Sequence, residues 1–193
     1  TISALESVHT KGFFGDYENK SKDEILKLTE VKNLLIIQIV KYKKSIISIK
    51  DIKIGNLNLK NEVLNVSNNI STRILWNGPN NWLLVSKKKE LLKEINEKLE
   101  ETDFAITNLS HSRAIIEIEG KNTKEILKKG CPFNFNKLEK NVCLNSTYNG
   151  ISVTIDMLGD NPDKVRIFTL RSFGESLHHS ITDACLEFGY ENI

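Results

Sequence analysis

The same order of predicted secondary-structure elements occurs twice along the chain, and this repetition is the strongest constraint on its fold. The stretches LLIIQIV and AIIEIEG each begin one repeat, and WLLVSKKKELLKEINEKL and VRIFTLRSFGESLHHSITDAC follow them at a distance of about 50 residues. Each repeat has the pattern strand, helix, strands, helix. We therefore predict an α+β fold of two pseudo-duplicated α/β halves, at about 34–103 and 104–193, within a single domain over residues 34–193.

Apolar periodicity predicts the individual elements. Residues 33–40, NLLIIQIV, are nearly all apolar and β-branched, which is typical of a central strand covered on both faces. Residues 73–86 predict two strands joined by a turn, and residues 46–52 predict a weak helix. Amphipathic patterns predict helices in SKKKELLKEINEKLEE and in SFGESLHHSITDACLEFGY. In the second, Ser172 is the predicted N-cap, and Leu177, Ile181, Ala184 and Phe188 form the predicted buried stripe. Trp76 and Trp82 flank the turn in residues 73–86, and packing across that turn is favoured over a stacking platform.

The first 33 residues differ in composition from the rest of the chain. They are polar and contain glycines, so they predict an extended N-terminal arm, with a strand or short helix around Ile25 to Val31. Phe13, Phe14 and Tyr17 lie in this arm. Aromatic residues in a polar, flexible segment are typical anchors that become ordered on binding, so we expect the arm to lie on a partner protein.

Composition excludes several classes of function. The chain has 193 residues, 39% of them hydrophobic and 27% charged, with a net charge of +2. These values are typical of a globular protein, and no basic stripe interleaved with aromatic residues indicates nucleic-acid binding. No apolar run is long enough to cross a membrane, and no leader pattern precedes the first strand. Three widely spaced cysteines favour reduced thiols, so we expect a cytoplasmic protein.

Chemistry-bearing motifs are also missing. There is no glycine-rich phosphate loop, and the adjacent His178 and His179 point about 100° apart on a helix, which disfavours a shared metal. Cys131 follows a predicted helix end, where the helix dipole raises a thiol pKa, so we favour a packing role over nucleophilic chemistry. His111 and Arg113 are open to a binding role, but structural roles are favoured for both. We predict no catalytic, cofactor-binding or metal-binding residue.

Four segments, in order, resemble one family. LWNGPNNWLLVS, TNLSHSRAIIEIEG, ILKKGCPFNF and LRSFGESLHHSITDA are similar to the L-W-x-G-P-x-x-W-L-L, D-L-S-H-S-R, L-x-K-G-C-P-x-D and R-S-F-x-x-S-L elements of the gamma subunit of heterotetrameric sarcosine oxidase. The resemblance covers residues 75–187. Asn108 and Asn134 stand where the family pattern has acids, so this resemblance carries no carboxylate chemistry.

The resemblance implies a fold similar to the folate-binding domain of the glycine-cleavage T-protein. It also implies a cytoplasmic assembly of alpha, beta, gamma and delta subunits that demethylates sarcosine oxidatively to glycine, with hydrogen peroxide and formaldehyde or methylene-tetrahydrofolate as further products. FAD, FMN, NAD, tetrahydrofolate and zinc are then expected in the partner subunits and not in this chain. In this interpretation the chain is a non-catalytic structural subunit of an enzyme of sarcosine catabolism and one-carbon metabolism.

Two alternatives stay open. The chain fits equally the same subunit of a related oxidase or dehydrogenase for another N-methyl amino acid, such as N-methylglutamate. It also fits a free-standing folate-dependent protein of the T-protein superfamily. For the subunit interpretation we predict partner contacts at Arg171 and Phe173, at the start of the last helix, in addition to Phe13, Phe14 and Tyr17 in the arm.

Overall fold

A computed structural model describes residues 3–193 as two compact units. One unit combines the described residues up to Lys32 with Ser112–Ile193, and the other is Asn33–His111. We call them the outer-sequence unit and the central unit. Among the described residues, no helix has the length and apolar character needed to cross a membrane.

Fourteen strands and three α-helices make up the described fold. The strands are β1 (Gly12–Phe14), β2 (Leu26–Glu30), β3 (Leu35–Lys41), β4 (Lys53–Ile54), β5 (Leu57–Asn58), β6 (Val66–Asn68), β7 (Thr72–Gly78), β8 (Asn81–Ser86), β9 (Phe104–Asn108), β10 (Arg113–Glu119), β11 (Cys143–Tyr148), β12 (Ile151–Asp160), β13 (Asp163–Leu170) and β14 (Tyr190–Asn192). The helices are α1 (Leu91–Lys98), α2 (Thr123–Gly130) and α3 (Gly174–Cys185). Short 3-10 turns occupy Phe135–Lys137 and Arg171–Phe173.

The central unit contains a five-stranded antiparallel sheet in the order β6-β7-β8-β3-β9, with a small β4-β5 hairpin. Strand β3 is buried at Leu35, Ile36, Ile37 and Ile39, as predicted for a strand covered on both faces. One face of the sheet packs with Leu91, Ile95 and Leu99 from α1 and its end into a buried apolar cluster. The amphipathic pattern of α1 thus determines the core of this unit.

The outer-sequence unit contains a seven-stranded sheet in the order β1-β14-β2-β10-β13-β12-β11. All neighbours are antiparallel except β14 and β2, which are parallel. Helix α3 buries Leu177, Ile181 and Ala184, three of the four residues predicted for its apolar stripe. Phe188, the fourth, lies beyond the end of the helix and is half-buried. The helix begins at Gly174 without a side-chain cap, so the predicted Ser172 cap is wrong.

The structure corrects the predicted N-terminal arm. Residues 12–14 and 26–30 are strands of the seven-stranded sheet, and β2 lies inside that sheet between β14 and β10. Leu5, Leu26 and Leu28 have 0% exposure, so the segment contributes to the core of its own chain. Its polar composition reflects the connecting loops, and Ile25, Leu26 and Leu28 supply its buried apolar positions in and next to β2. Residues 1 and 2 of the predicted arm lie outside the described residues.

The halves predicted at about 34–103 and 104–193 also differ from the compact units, and a reciprocal exchange of strands explains why. Strand β2 precedes β3 in sequence but pairs with β10, while β9 precedes β10 but pairs with β3. As a result the two sheets share one order, β6-β7-β8-β3-β9 and β11-β12-β13-β10-β2. This matching order agrees with the predicted duplication, and the exchange moves the boundary between units to residues 111 and 112.

The weak helix predicted over residues 46–52 is absent. Ile46 is 98% exposed, and Ser45 and Ser48 accept hydrogen bonds from the backbone N–H groups of Ile47 and Lys50, both at 3.3 Å. Serine side chains that bond nearby backbone compete with helix formation, and β-branched isoleucines add little to favour it. The segment is therefore irregular in the central unit, whereas the corresponding place in the other unit holds α2.

Candidate functional site

The motif segments of the outer-sequence unit meet at the end of β10. Strand β10 runs antiparallel to β13, so Arg113 pairs with Leu170 and Ala114 with Thr169. The backbone N–H of Arg171 donates to the Ser112 carbonyl at 2.9 Å. The SHSRA and LRSFG segments, 57 positions apart at Arg113 and Leu170 by their numbering, thus form one structural junction.

Close packing at this junction requires a glycine at position 174. A Cβ at this position would lie 2.8 Å from Ala114 Cβ and 3.3 Å from Leu5 Cδ2. The first turn of α3 therefore approaches β10 more closely than any larger residue permits. The small residues of both motifs serve the contact between helix and sheet.

Gly130 has the same kind of role in the KKGCP segment. A Cβ there would lie 2.7 Å from the ring of Tyr148, whose hydroxyl donates to the Ile126 carbonyl at 3.0 Å. The aromatic ring lies directly on the last turn of α2. Cys131 follows as the C-cap and is buried, as predicted, and burial raises the pKa of its thiol to about 11. A thiol with this pKa is protonated at neutral pH and is a poor nucleophile.

The His-Ser-Arg group does not form a catalytic arrangement among the described residues. Ser110 Oγ accepts from the Ile36 N–H at 3.0 Å and donates to Asn108 Oδ1 at 2.7 Å, which fixes a turn within the central unit. His111 is exposed and forms no hydrogen bond with any residue of the described range. Arg113 is half-buried and bonds Ser112, and burial lowers its pKa.

The tryptophan segment LWNGPNNW also has a structural role, as predicted. Trp76 and Trp82 face each other across the β7-β8 turn, and Trp82 has 0% exposure. The Trp82 Nε1–H donates to the Lys60 carbonyl at 2.7 Å. The Trp76 Nε1–H and the Asn80 backbone N–H both donate to Asn61 Oδ1, at 3.3 and 2.9 Å. The segment therefore fixes the loop before β6 against the sheet.

The five predicted partner contacts lie in the outer-sequence unit. Phe13 and Phe173 are 44% and 47% exposed, and Phe13 lies 5.7 Å from the half-buried Tyr17 ring, measured between centroids. Phe14 stacks on Tyr190 at 5.3 Å, so its ring serves the sheet to which it belongs. Arg171 is half-buried within the 3-10 turn that ends in Phe173.

One buried polar group was not found from the sequence. The rings of His9 and His178 lie 5.8 Å apart in a T-shaped contact, with Glu30 and Asn192 nearby in the same unit. The Nε2 atoms of both histidines and Asn192 Oδ1 are buried without hydrogen-bond partners in residues 3–193. Burial, followed by the charge of His9, lowers the pKa of His178 to about 4. The four residues come from distant parts of the chain, so no local pattern indicates them.

No metal centre is formed by the described residues, since none of their His, Cys, Asp and Glu side chains gather in groups of three or more. The described motif residues lie in packing contacts, in turns and at exposed edges.

Comparisons with known proteins agree with the motifs. No family model matches the chain. The chain is 27% identical over 118 residues to the sarcosine oxidase gamma subunit of Corynebacterium sp. strain U-96, covering 61% of this chain and 58% of the relative. The gamma subunit of strain P-1 is 27% identical over 125 residues, covering 63% and 61%. The matches thus span about three fifths of the length of these curated relatives.

Solved structures establish the fold. A chain of heterotetrameric sarcosine oxidase from Corynebacterium sp. U-96, in complex with pyrrole 2-carboxylate, matches with a TM-score of 0.75 at 23% identity over 87% of both chains. The glycine cleavage system aminomethyltransferase T from Bartonella henselae matches with a TM-score of 0.57 at 12% identity, over 81% of this chain and 45% of that protein. The predicted α+β fold similar to the T-protein is confirmed, and the chain is similar in sequence to the sarcosine oxidase gamma subunits of both Corynebacterium strains.

Proposed function

We propose that this chain is the gamma-type, non-catalytic structural subunit of a cytoplasmic flavoenzyme that oxidatively demethylates sarcosine to glycine. The observation that carries the proposal is that residues of the segments resembling gamma subunits serve packing within this chain. Gly130 and Gly174 lie in close contacts between elements, and Trp82 is fully buried, so these residues serve packing. Similarity to gamma subunits supports the identity of the assembly.

In this proposal alpha, beta and delta subunits are the partners, and they hold FAD, FMN, NAD, tetrahydrofolate and zinc. The reaction yields hydrogen peroxide and formaldehyde or methylene-tetrahydrofolate besides glycine. This chain stabilises the assembly. The exposed Phe13 and Phe173 are its proposed apolar contacts, with Tyr17 beside the first and Arg171 beside the second. Phe14 supports this surface from behind through its stacking on Tyr190.

Co-production with the alpha, beta and delta homologues of the source organism tests the proposal. Tagged chain is expected to recover all three partners and a flavin-coloured complex that turns over sarcosine. The chain purified alone is expected to be colourless and to contain no zinc. Production of the three partners without it should lower the yield or thermal stability of the complex. A three-chain complex of unchanged stability and activity contradicts the proposal.

The same preparation separates the alternatives. A complex that oxidises N-methylglutamate and not sarcosine identifies the related N-methyl amino acid enzyme. A chain that recovers no partner and binds tetrahydrofolate in calorimetric titration is a free-standing folate-dependent protein.

A further inference from the structure

Strand β9 leaves one side of its backbone open. Leu109 N–H donates to the Ile36 carbonyl and Tyr42 N–H to the Asp103 carbonyl, both at 2.8 Å. Hydrogen bonds in an antiparallel ladder alternate, so Ala105 and Thr107 bond to β3 within this register. The N–H and C=O groups of Ile106 therefore point away from β3, and no other strand of the described chain pairs with β9.

This edge lacks the usual features that prevent strand addition. Proteins protect open edges with charges, prolines, bulges or very short strands. Strand β9 has five residues, FAITN, none of them charged or proline, and its register with β3 is continuous. Thr107 and Asn108 are exposed at its end. The edge is therefore suited to receive another strand.

The outer-sequence unit shows that this position accepts one. Strand β2 lies next to β10 in the seven-stranded sheet, just as β9 lies next to β3 in the central sheet. The strands β10 and β3 each begin one repeat, so β2 and β9 occupy equivalent places. The far side of β2 carries β14, a strand of three residues paired in register from Leu26 to Leu28. Tyr190 of β14 is buried with 5% exposure. In the central unit the equivalent place beyond β9 is open.

A cleft runs beside β9 and could take the side chain of an added strand. Its volume is about 680 Å³, and it is lined by the buried Leu99 and Phe104, by Leu92 and Ile106, and by Glu101 at the rim. Glu101 is the one charged side chain among the described residues that line it. Tyr42, Asn96 and Asn108 also line the cleft, and Leu99 and Phe104 are almost fully buried, so its exposed lining is mainly polar. This lining and the Glu101 carboxylate favour a basic side chain from an added strand.

We propose that β9 binds an extended segment of a partner subunit by strand addition, with a lysine or arginine of that segment in the cleft beside Glu101. Main-chain hydrogen bonds supply affinity in this mode of recognition, and pockets for alternate side chains supply selectivity. The identity of the partner rests on the proposed function. The docking mode rests on the geometry of the central unit.

Proline substitution tests the main-chain bonds. Ile106→Pro removes an N–H that points away from β3, and prolines are tolerated on edge strands where the N–H faces outward. Asn68→Pro is the matched control on β6, the opposite edge of the same sheet. Asn69 N–H donates to the Thr72 carbonyl and Trp76 N–H to the Asn65 carbonyl, so the alternation points Asn68 N–H outward. Ile106→Ala keeps the N–H and shortens the side chain that lines the cleft.

In co-production with the alpha, beta and delta homologues, Ile106→Pro is expected to lower recovery of partner chains on the tagged subunit about tenfold or more, equivalent to about 1.4 kcal/mol. Asn68→Pro should recover them as wild type does, and Ile106→Ala should fall between the two. Equal recovery with Ile106→Pro, in a chain with wild-type circular dichroism, overturns the proposal. Glu101→Lys should also weaken recovery, because the basic residue of the partner lies beside it.

Photo-crosslinking provides a measurement that does not depend on the folding of the proline variant. A benzoylphenylalanine placed at the exposed Thr107 is expected to join this chain to one partner subunit, at residues of an extended segment. Crosslinks only to a second copy of this chain, or to a folded helix of a partner, overturn the proposal. Failure of wild-type chain to recover any partner contradicts the proposed function instead, and is distinguished by this control.

Discussion

Gly130 is a position where one hydrogen atom in place of a side chain decides the packing. The Tyr148 ring occupies the space that a Cβ would take, at 2.7 Å. We predict that Gly130→Ala lowers the free energy of unfolding by about 2 kcal/mol, because overpacking forces the ring or the helix end to move. Chemical denaturation of the purified chain measures the change.

Gly159→Ala is the control for this prediction. A Cβ at Gly159 would meet the Pro162 carbonyl oxygen at 3.4 Å and Lys164 Cβ at 3.5 Å, which are ordinary contact distances. Its effect on stability should be small. Equal losses for the two variants would show that the Tyr148 contact is not the cause.

The protein is predicted to lose stability in acid because of His178. Its folded-state pKa of about 4 lies below the ordinary value of 6.5, so the unfolded chain binds the proton first as pH falls. The free energy of unfolding should therefore drop between pH 6.5 and pH 4, by up to about 3 kcal/mol from this group. The lowered pKa of His9 acts in the same direction.

Denaturant unfolding across that pH range measures the effect. His178→Gln should flatten the decrease, because the side chain no longer titrates. His179→Gln is the matched control at the adjacent, exposed position, and it should keep most of the decrease, because the charge of His179 is the smallest of the causes that shift the pKa of His178. An unchanged slope in His178→Gln would contradict the assignment.

Cys131 is predicted to be dispensable for turnover. It is 5% exposed at the end of α2, and its raised thiol pKa keeps it protonated. In the assembled complex, Cys131→Ala should keep sarcosine turnover within about tenfold of wild type, with a modest loss of thermal stability. A hundredfold loss with assembly intact corresponds to about 2.7 kcal/mol of transition-state stabilisation and would contradict a packing role.

Strand β2 is the element on which the outer-sequence unit depends. It lies between β14 and β10, and Leu26 and Leu28 are fully buried. We predict that a chain beginning at residue 32 loses the cooperative unfolding of residues 112–193, because its sheet is divided at β2. Hydrogen exchange resolved along the chain measures this. Retained slow exchange in β10 and β13 would contradict the prediction.

Local pattern was sufficient for most elements of the chain. The turn between β7 and β8 and the strands β3, β10, β12 and β13 follow from turn residues and β-branched runs, and α1 and α3 follow from apolar periodicity. Local pattern was insufficient in residues 46–52, where the side chains of Ser45 and Ser48 accept backbone hydrogen bonds that compete with helix formation. The strand at residues 12–14 was missed because it is short and flanked by polar loops, whereas the strand at residues 26–30 lies where a strand or short helix was expected.

The whole molecule is organised by its duplication. The shared order of five strands in the two sheets predicts that residues 34–100 and 106–190 overlay over their common strands and final helices. An experimental structure measures this by superposition of the β7-β8-β3 strands on the β12-β13-β10 strands, with α1 on α3. Sheets that cannot be overlaid would contradict an origin by duplication.

The sequence determined the α+β class, the repeat and the similarity to sarcosine oxidase gamma subunits, because these depend on periodicity and on motifs that are contiguous in the chain. The exchange of β2 and β9, the approach of Gly174 to Ala114 and the meeting of His9 with His178 were decided in three dimensions. Antiparallel pairing is available to either sheet for an apolar strand of this length, so sequence order does not choose between them. The choice depends on which arrangement buries Leu26, Leu28 and Phe104, and that is a property of the complete fold.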